Sequence, residues 1–258
     1  MDYSFGLVNS LDVEVFDSEV DSDVQLVFLP GGMNPEIWKH QLRYFGNDYR
    51  TISFRNPGQT IESEYNILKK IFDEFELENV VLFSAWEGNL TSTGFCEYEE
   101  KILGRILVGD ERSLTTNGKN FLNIFDHLKH PKIVKKAFFT EKYSYRRVKD
   151  FKQYLSFSHL ENYCQKGDKL GDNFLRVRGE SDKFSRRLND CKSIGGSGSF
   201  PFFERPEEFN EVSVNYLKYL GDIVREYQVA KVERKNGSLE DFSEKRRHDK
   251  SLKHVTKG

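Results

Sequence analysis

Two uninterrupted apolar runs, each ending in a turn and leading into a helical pattern, constrain the fold of this chain most. "VQLVFLPGG" spans residues 24–32 and "NVVLFS" spans residues 79–84. Neither run alternates apolar with polar residues, which is typical of strands that are covered on both faces of a parallel sheet. After the first run, Asn34 can cap a helix and Pro35 suits its first turn. The two runs therefore predict a parallel sheet with helical crossovers.

Further strand and helix patterns alternate along the chain around these runs. "YRTISF" (49–54) and "GRILVGD" (104–110) have the composition of strands, whereas "IESEYNILKKIFDEFEL" (61–77) carries apolar residues at helical spacing. Residues 88–98 are predicted to form a helix, and residues 3–20 an antiparallel pair of strands. This order predicts an α/β fold with a mostly parallel sheet of about six to eight strands and helices on both faces.

The alternation of strands and helices is interrupted once. Residues 111–172 are irregular and rich in Lys, Arg and aromatic residues, and we expect them to form a helical lid over the carboxyl ends of the strands. The core then comprises residues 1–110 and 173–228. From Val229 onward there are nine Lys or Arg against five Asp or Glu and few large apolar residues. This basic segment, residues 229–258, is predicted to be a flexible tail.

The composition describes a soluble globular protein with a sizeable core. Of 258 residues, 31% are charged and 37% are hydrophobic, and 22 Phe and 12 Tyr can supply the core volume. No apolar run reaches the length of a membrane span, and the first residues lack the features of a secretory signal. The cysteines lack metal-ligand spacing and are expected to be reduced thiols in the cytoplasm. They are Cys96, Cys164 and Cys191.

The segment "NVVLFSAWEGNL" has the pattern of a strand that ends in a tight turn and enters a helix. Where such a turn carries a nucleophilic serine, it is written G-x-S-x-G. The register puts Ser84 at the first glycine, Trp86 at the nucleophile and Gly88 at the last glycine. An indole has no lone pair suited to acyl transfer, so the sequence keeps the turn and lacks the nucleophile.

Five ordered segments within residues 5–225 carry a resemblance: "LVFLPGG" followed by "PEIW", "SFRNPGQT", "LENVVLFSAWEGN", "FLRVRGESD" and "SGSFPFFERPEEFNEVSVNYL". Together they resemble the α/β-hydrolase family. The resemblance implies a triad acid at Asp182, which is intact, and a histidine at the position of Ser199. A hydroxyl cannot act as a base near neutral pH. With Trp86 at the nucleophile position, the resemblance implies a degenerate catalytic triad.

The same resemblance implies an oxyanion hole and a ligand pocket beside the triad positions. Backbone N–H groups near Gly31 and Gly32, and that of Glu87, are the candidate donors. An ionised Glu87 side chain would oppose an oxyanion unless it points to solvent. Trp86 can form an apolar wall for a small apolar or amphipathic ligand, or it can simply fill the former cavity. The predicted pocket residues are Gly31, Gly32, Trp86, Glu87, Ser199 and Phe200.

Other side chains could rebuild a catalytic site. The predicted lid contains His127, His130 and His159, and one of them could reach the pocket. Ser84 is a candidate shifted nucleophile, although a small residue here also lets the strand pack close to the helix. Asp110, which ends "ILVGD", is an alternative position for the triad acid or simply a polar strand end.

Three hypotheses about function follow. The first is a small-molecule-binding or scaffold protein without serine-hydrolase activity. The second is a hydrolase or lyase of non-standard mechanism, in which Asp182 or Glu87 acts as a desolvated acid or base with a histidine from the lid. The third is an interaction protein that acts through its basic tail. We expect no cofactor, no metal and no membrane span, and nucleic acid is not the expected partner.

Overall fold

The computed structural model describes residues 6–8, 11–58, 60–109, 138–140, 173–183, 185 and 190–235. Within these ranges, eight strands form one sheet in the spatial order β1-β2-β4-β3-β5-β6-β7-β8. The strands are β1 (Gly6–Val8), β2 (Val13–Asp17), β3 (Gln25–Phe28), β4 (Arg50–Phe54), β5 (Val80–Ala85), β6 (Ile102–Val108), β7 (Phe174–Gly179) and β8 (Lys192–Ile194).

The sheet is mostly parallel, as the sequence predicts. β1 pairs antiparallel with β2, and β2 pairs antiparallel with β4. Every other pairing, from β4 through β3 to β8, is parallel. The two uninterrupted apolar runs form β3 and β5, which lie side by side in the interior of the sheet, where both faces are covered.

Helices lie on both faces of the sheet. They are α1 (Lys39–Phe45), α2 (Ile61–Glu74), α3 (Glu87–Gly94), α4 (Pro201–Glu204) and α5 (Pro206–Lys235), with 3-10 helices at Pro35–Trp38 and Glu99–Lys101. The side chain of Asn34 caps the first 3-10 helix by accepting from the N–H of Glu36 at 3.0 Å. None of the described helices combines the length and the apolarity that a bilayer-spanning helix needs.

The lengths of α3 and α5 differ from the sequence prediction. α3 ends at Gly94 instead of continuing to residue 98. Its last turn contains Thr91, Ser92 and Thr93, which favour the helix weakly, and glycine is a poor helix former. α5 continues past Val229 and ends at Lys235, so it extends into the basic segment. The rest of that segment, residues 236–258, lies outside the described residues.

Alternate residues of the central strands pack into two separate cores. Leu26 and Phe28 of β3 lie in one apolar cluster with side chains from α1 and α5. Val27 and Leu29 lie in the other cluster, with side chains from α2. Successive side chains of a strand point to opposite faces, so a continuous apolar strand contributes to both cores.

The parallel strands bring their carboxyl ends to one edge of the sheet. The loops that leave this edge after β3, β5, β7 and β8 contain Gly31, Trp86, Asp182 and Ser199, respectively. In open α/β sheets, ligands bind outside the carboxyl ends of the strands. The topology therefore explains why residues that are far apart in the sequence meet at one place.

Candidate functional site

Trp86 lies at the turn between β5 and α3, and its backbone is strained. Its φ is +54° and its ψ is −112°, a conformation that costs a non-glycine residue about 1 to 3 kcal/mol. The turn is tight because the helix start approaches the loop after β3. A Cβ on Gly31, whose φ is +61°, would lie 2.9 Å from the backbone nitrogen of Gly88. Glycine at position 31 thus permits both the positive φ and the close approach.

The indole of Trp86 is packed on several sides and only 5% of the residue is exposed. Its ring centroid lies 6.0 Å from that of Phe138 and 5.9 Å from that of Phe200. A Cβ on Gly109 would lie 3.5 Å from the indole, so this glycine leaves the ring its space. Trp86 Nε1–H donates to the carbonyl oxygen of Ser199 at 3.2 Å. The large apolar ring is buried and its single polar atom has a partner.

Ser199 and Asp182 are directly hydrogen-bonded. The Ser199 hydroxyl donates to Asp182 Oδ1 at 2.7 Å, and each residue is 1% exposed. Together with the Trp86 bond, this links the three predicted triad positions in one hydrogen-bonded chain. The hydroxyl partners the acid as a histidine would, but it offers no basic nitrogen that could take a proton from a nucleophile.

Glu204 holds the loop that carries Ser199. Its carboxyl accepts the N–H of Gly198 at 2.7 Å and the N–H of Thr140 at 3.2 Å. Burial raises the pKa of Glu204 to about 7, although these backbone donors favour its ionised form. The N–H of Ser199 donates to the carbonyl of Phe138 at 2.7 Å. The short described segment that contains Phe138 and Thr140 is therefore bonded to the loop that carries Ser199.

Two consecutive N–H groups of the loop after β3 face carboxyl groups of the same chain. Gly31 N–H donates to Glu64 Oε1 at 2.5 Å, and the Thr91 hydroxyl donates to Glu64 Oε2 at 2.5 Å. The N–H of Gly32 faces the carboxyl of Glu87 and acts to lower its pKa. The Glu87 side chain is thus directed at this loop and is only partly exposed. The two glycine N–H groups proposed for an oxyanion therefore lie beside carboxyl groups of the chain itself.

Both of these carboxyl groups are strongly perturbed. Burial raises the pKa of Glu64 to about 7, against the opposing effect of its hydrogen bonds from Thr91 and Gly31. Burial, and then the charge of Glu64, raise the pKa of Glu87 to about 7. Two carboxylates close together in a poorly solvated site cannot both ionise at low cost, so the pair favours a protonated member near neutral pH.

The structure also shows where some of the other candidate residues from the sequence analysis lie. Ser84 is fully buried in β5, and its hydroxyl donates to Asn89 Oδ1 at 2.8 Å. Cys96 is an exposed thiol and Cys191 a half-buried one. The other candidates, Asp110, His127, His130, His159 and Cys164, lie outside the described residues, as does all of the predicted lid except residues 138–140. In the described part of the chain, no group of three His, Cys, Asp or Glu side chains could hold a metal ion.

Sequence reasoning missed the buried carboxyl groups of Glu64 and Glu204. For Glu64 a signal existed, because residue 64 lies one and two helical turns before Leu68 and Ile71. This spacing puts a glutamate on the buried face of α2. Glu204 follows an apolar stretch in a short helix that has no clear period. Its role depends on Gly198 and on Thr140, which is 64 residues away, so local pattern could not reveal it.

The sheet order, the flanking helices and the strained turn at Trp86 define an α/β-hydrolase fold, as the sequence predicts. Carboxylesterase CesB from Bacillus subtilis aligns over 84% of this chain and 92% of its own, with a TM-score of 0.61 and 14% identity. An esterase from Exiguobacterium antarcticum aligns over 83% of this chain and 99% of its own, with a TM-score of 0.59 and 14% identity.

A bromoperoxidase from Bacillus anthracis shares the same architecture. It aligns over 84% of this chain and 100% of its own, with a TM-score of 0.55 and 14% identity. No protein-family model matches the sequence, and no curated protein sequence matches it. The likeness to these solved structures is therefore one of fold, and the activity of this chain has to be argued from its own residues.

Proposed function

We propose that this α/β-hydrolase-fold chain is a scaffold protein without serine-hydrolase activity. The observation that carries the proposal is the packing of Trp86, whose indole lies at the predicted nucleophile position and donates to the Ser199 carbonyl. The members of a catalytic triad act as a unit, and loss of the serine alone costs about a million-fold in rate in a well-studied protease. No acyl-enzyme can form on an indole.

The burial of the predicted pocket supports a scaffold over a small-molecule-binding protein. Trp86, Ser199 and Phe200 are each at most 5% exposed. Their aromatic packing takes up the space that a small apolar or amphipathic ligand would need. We therefore interpret Trp86 as a side chain that fills the former cavity, so that the triad region contributes stability in place of catalysis.

Glu87 supports a second candidate function, an enzyme that transfers a proton through this carboxyl. It is the one predicted pocket residue that is partly exposed. Burial and the charge of Glu64 raise its pKa to about 7, which suits a general acid or base near neutral pH. Asp182, by contrast, is only 1% exposed and accepts a hydrogen bond from Ser199. A hydrolase or lyase activity that is lost in Glu87→Gln but kept in Asp182→Asn would favour this alternative.

A fluorophosphonate probe, which reacts with activated serine hydroxyls, tests the proposal. The wild-type protein should stay unlabelled while an active carboxylesterase in the same assay is labelled. Nitrophenyl acetate should be hydrolysed no faster by the wild-type protein than by Trp86→Ala. Ser84→Ala and Ser199→Ala are matched variants that remove the two serines of this region one at a time.

Specific labelling that disappears in Ser84→Ala or Ser199→Ala would contradict the proposal. Ester hydrolysis that is abolished by changing His127, His130 or His159 would contradict it as well, because it would reveal a rebuilt site. The cytoplasmic location, the lid at residues 111–172 and the lack of a cofactor stay predictions, as does a role of the basic tail in binding a partner.

A further inference from the structure

Three described residues from the predicted lid are held on the loop after β8 by hydrogen bonds of their main chain. The N–H of Ser199 donates to the carbonyl oxygen of Phe138 at 2.7 Å. The N–H of Thr140 donates to the carboxyl of Glu204 at 3.2 Å, and the same carboxyl accepts the N–H of Gly198 at 2.7 Å. Donors and acceptors thus lie on both partners, and main-chain bonds of this kind are how many grooves hold a peptide.

Two successive phenyl rings of the same segment pack on the side chains beneath it. The ring centroid of Phe138 lies 6.0 Å from that of Trp86 and 5.7 Å from that of Phe200. The ring centroid of Phe139 lies 5.8 Å from that of Phe200. Both phenylalanines are buried. The contact therefore combines two apolar anchors with a few directed polar groups, which is the usual composition of a ligand site.

Glycine at position 198 admits this segment. A Cβ there would overlap the carbonyl oxygen of Phe138 and would come within 3.0 Å of Glu204 Oε1. Among the described glycines, those with a positive φ are Gly31, Gly109 and Gly196. Gly198 is thus required for the close approach of another main chain and not for its own backbone conformation.

We infer that the loop after β8 forms a docking groove for a peptide with two successive aromatic residues, and that residues 138–140 occupy it as an internal ligand. The docking groove consists of Trp86, Gly198, Ser199, Phe200 and Glu204. A partner with such a peptide has to displace the internal ligand, which therefore limits access to the groove. The inference deepens the scaffold function, on which it rests, because it names the kind of partner that this site holds.

The two tryptophans of the chain can report on the docking groove. Labelling with ¹⁵N-tryptophan gives one indole signal for each of them. The indole N–H of Trp86 donates to the carbonyl oxygen of Ser199 at 3.2 Å and lies beside the ring of Phe138. The indole N–H of Trp38 donates to the carbonyl oxygen of Leu29 at 2.9 Å in the core and serves as an internal reference.

Gly198→Ala should expel the internal ligand, because the added methyl group overlaps the carbonyl oxygen of Phe138. The Trp86 indole signal should then shift, since the neighbouring phenyl ring is lost. The Trp38 signal should stay in place. A Trp86 signal that keeps its wild-type position in this variant would overturn the inference.

Gly195→Ala is the matched control for this substitution. It adds a methyl group to an exposed glycine of the same loop. Outside the adjoining residues, the nearest atom to that methyl group is a carboxyl oxygen of Glu180 at 4.0 Å. Neither indole signal should move. An equal shift of the Trp86 signal in Gly195→Ala and Gly198→Ala would overturn the inference, because the effect would not depend on the internal ligand.

A variant without the two aromatic anchors tests whether a separate peptide can bind. Phe138→Ala combined with Phe139→Ala weakens the internal ligand, and the peptide KKAFFTEK, which has the sequence of residues 135–142, supplies both rings again. At about 1 mM this peptide should return the Trp86 signal toward its wild-type position, whereas KKAAATEK should not. The wild-type protein should not respond, because its internal ligand competes at a millimolar effective concentration.

Further substitutions in this double variant locate the bound peptide. Glu204→Gln should weaken binding of KKAFFTEK about tenfold or more, because it removes a charged acceptor of N–H groups. Glu207→Gln, which changes an exposed glutamate of α5, is the control and should leave binding as it is. Gly198→Ala should abolish the response. If the double alanine variant does not fold, Phe138→Leu with Phe139→Leu, which keeps apolar side chains, takes its place.

A double variant that fails to respond to KKAFFTEK, or that responds equally to KKAAATEK, would overturn the inference. This outcome is separate from the probe assay. A protein that is unlabelled by fluorophosphonate but shows no response to the peptide loses the docking groove and keeps the absence of serine-hydrolase activity. A labelled protein whose double variant responds to the peptide keeps the docking groove and loses the proposed function.

Discussion

The Ser199 hydroxyl donates to the Asp182 carboxyl at 2.7 Å, and both side chains are almost wholly buried. Removing the hydroxyl leaves the carboxyl with its desolvation cost and one donor fewer, so Ser199→Ala should lower the free energy of unfolding by about 1 to 3 kcal/mol. Urea denaturation measures this change. Ser193→Ala, which alters an exposed serine in β8, is the control and should have little effect.

The same pair can be tested for direct coupling. Asp182→Asn combined with Ser199→Ala should cost less than the sum of the two single changes, because residues in contact are not energetically independent. If Ser199→Ala is as stable as the wild type, the hydroxyl contributes nothing to the buried acid. Ser199 would then lie beside Asp182 without contributing to the free energy of unfolding.

At position 86, a glycine substitution should destabilise the protein less than an alanine substitution, which is the reverse of the usual order. Its φ of +54° and ψ of −112° are tolerated by glycine and strained for any residue with a Cβ. Both Trp86→Gly and Trp86→Ala lose the buried indole, at a cost of about 3 to 5 kcal/mol. We expect Trp86→Gly to be the more stable of the two by about 1 kcal/mol, measured by thermal or urea unfolding.

The control for this comparison is Trp38, which is fully buried but has a φ of −87° and a ψ of +7°. There, Trp38→Ala should be the more stable variant, by about 1 kcal/mol. Free indole should raise the unfolding temperature of Trp86→Gly and not that of the wild type, because only the variant has a cavity to fill. The same order of stability at both positions would contradict the strained turn.

The fold and the turn could be predicted from sequence because their signals are local. The run that forms β5 and the spacing from Ser84 to Gly88 determine where the strand ends and the helix begins. The positions of Asp182 and Ser199 were implied by the resemblance of their motifs to the α/β-hydrolase family. Glu87 was identified as a polar neighbour of the oxyanion loop, but its direction was left open. The side chain points to Gly32 because α2 and α3 pack against this loop, a tertiary relation that no local pattern contains.

The stability of the protein should fall as the pH rises from about 5 to about 8. Burial raises the folded-state pKa of Glu204 to about 7 from an ordinary value of 4.5. A group whose pKa is raised by folding stabilises the folded protein at pH values below its unfolded-state pKa. This stabilisation is lost as the pH rises through the folded-state pKa. For Glu204 alone the loss is at most on the order of 3 kcal/mol. Glu64 and Glu87 act in the same direction.

Glu204→Gln should therefore reduce the slope of unfolding free energy against pH, whatever it does to the stability at one pH. Urea denaturation at intervals across this range gives the slope. The control is Glu207→Gln, which changes an exposed glutamate at the start of α5 and should leave the slope as it is. An unaltered slope in Glu204→Gln would mean that this carboxyl is ionised in the folded protein throughout the range.

Esterase activity should need a third substitution beyond a restored serine and histidine. Trp86→Ser with Ser199→His rebuilds a nucleophile and a base beside Asp182, but the carboxyl of Glu87 still faces the N–H of Gly32, where an oxyanion would develop. Adding Glu87→Ala frees this donor. Loss of a single oxyanion donor costs about a hundred-fold or more in rate. The triple variant should therefore hydrolyse nitrophenyl acetate about a hundred-fold faster than the double variant.

Two controls separate this effect of Glu87 from a general loosening of the site. Glu62→Ala in the double variant removes an exposed glutamate of α2 and should add no activity. Asp182→Asn in the triple variant should remove most of the gain, because a restored histidine needs this acid to hold its tautomer and orientation. If the double variant is already as active as the triple variant, Glu87 does not obstruct the hole. If the gain survives Asp182→Asn, the new activity does not depend on a triad, and the positions of Trp86, Ser199 and Asp182 would not form a former catalytic unit.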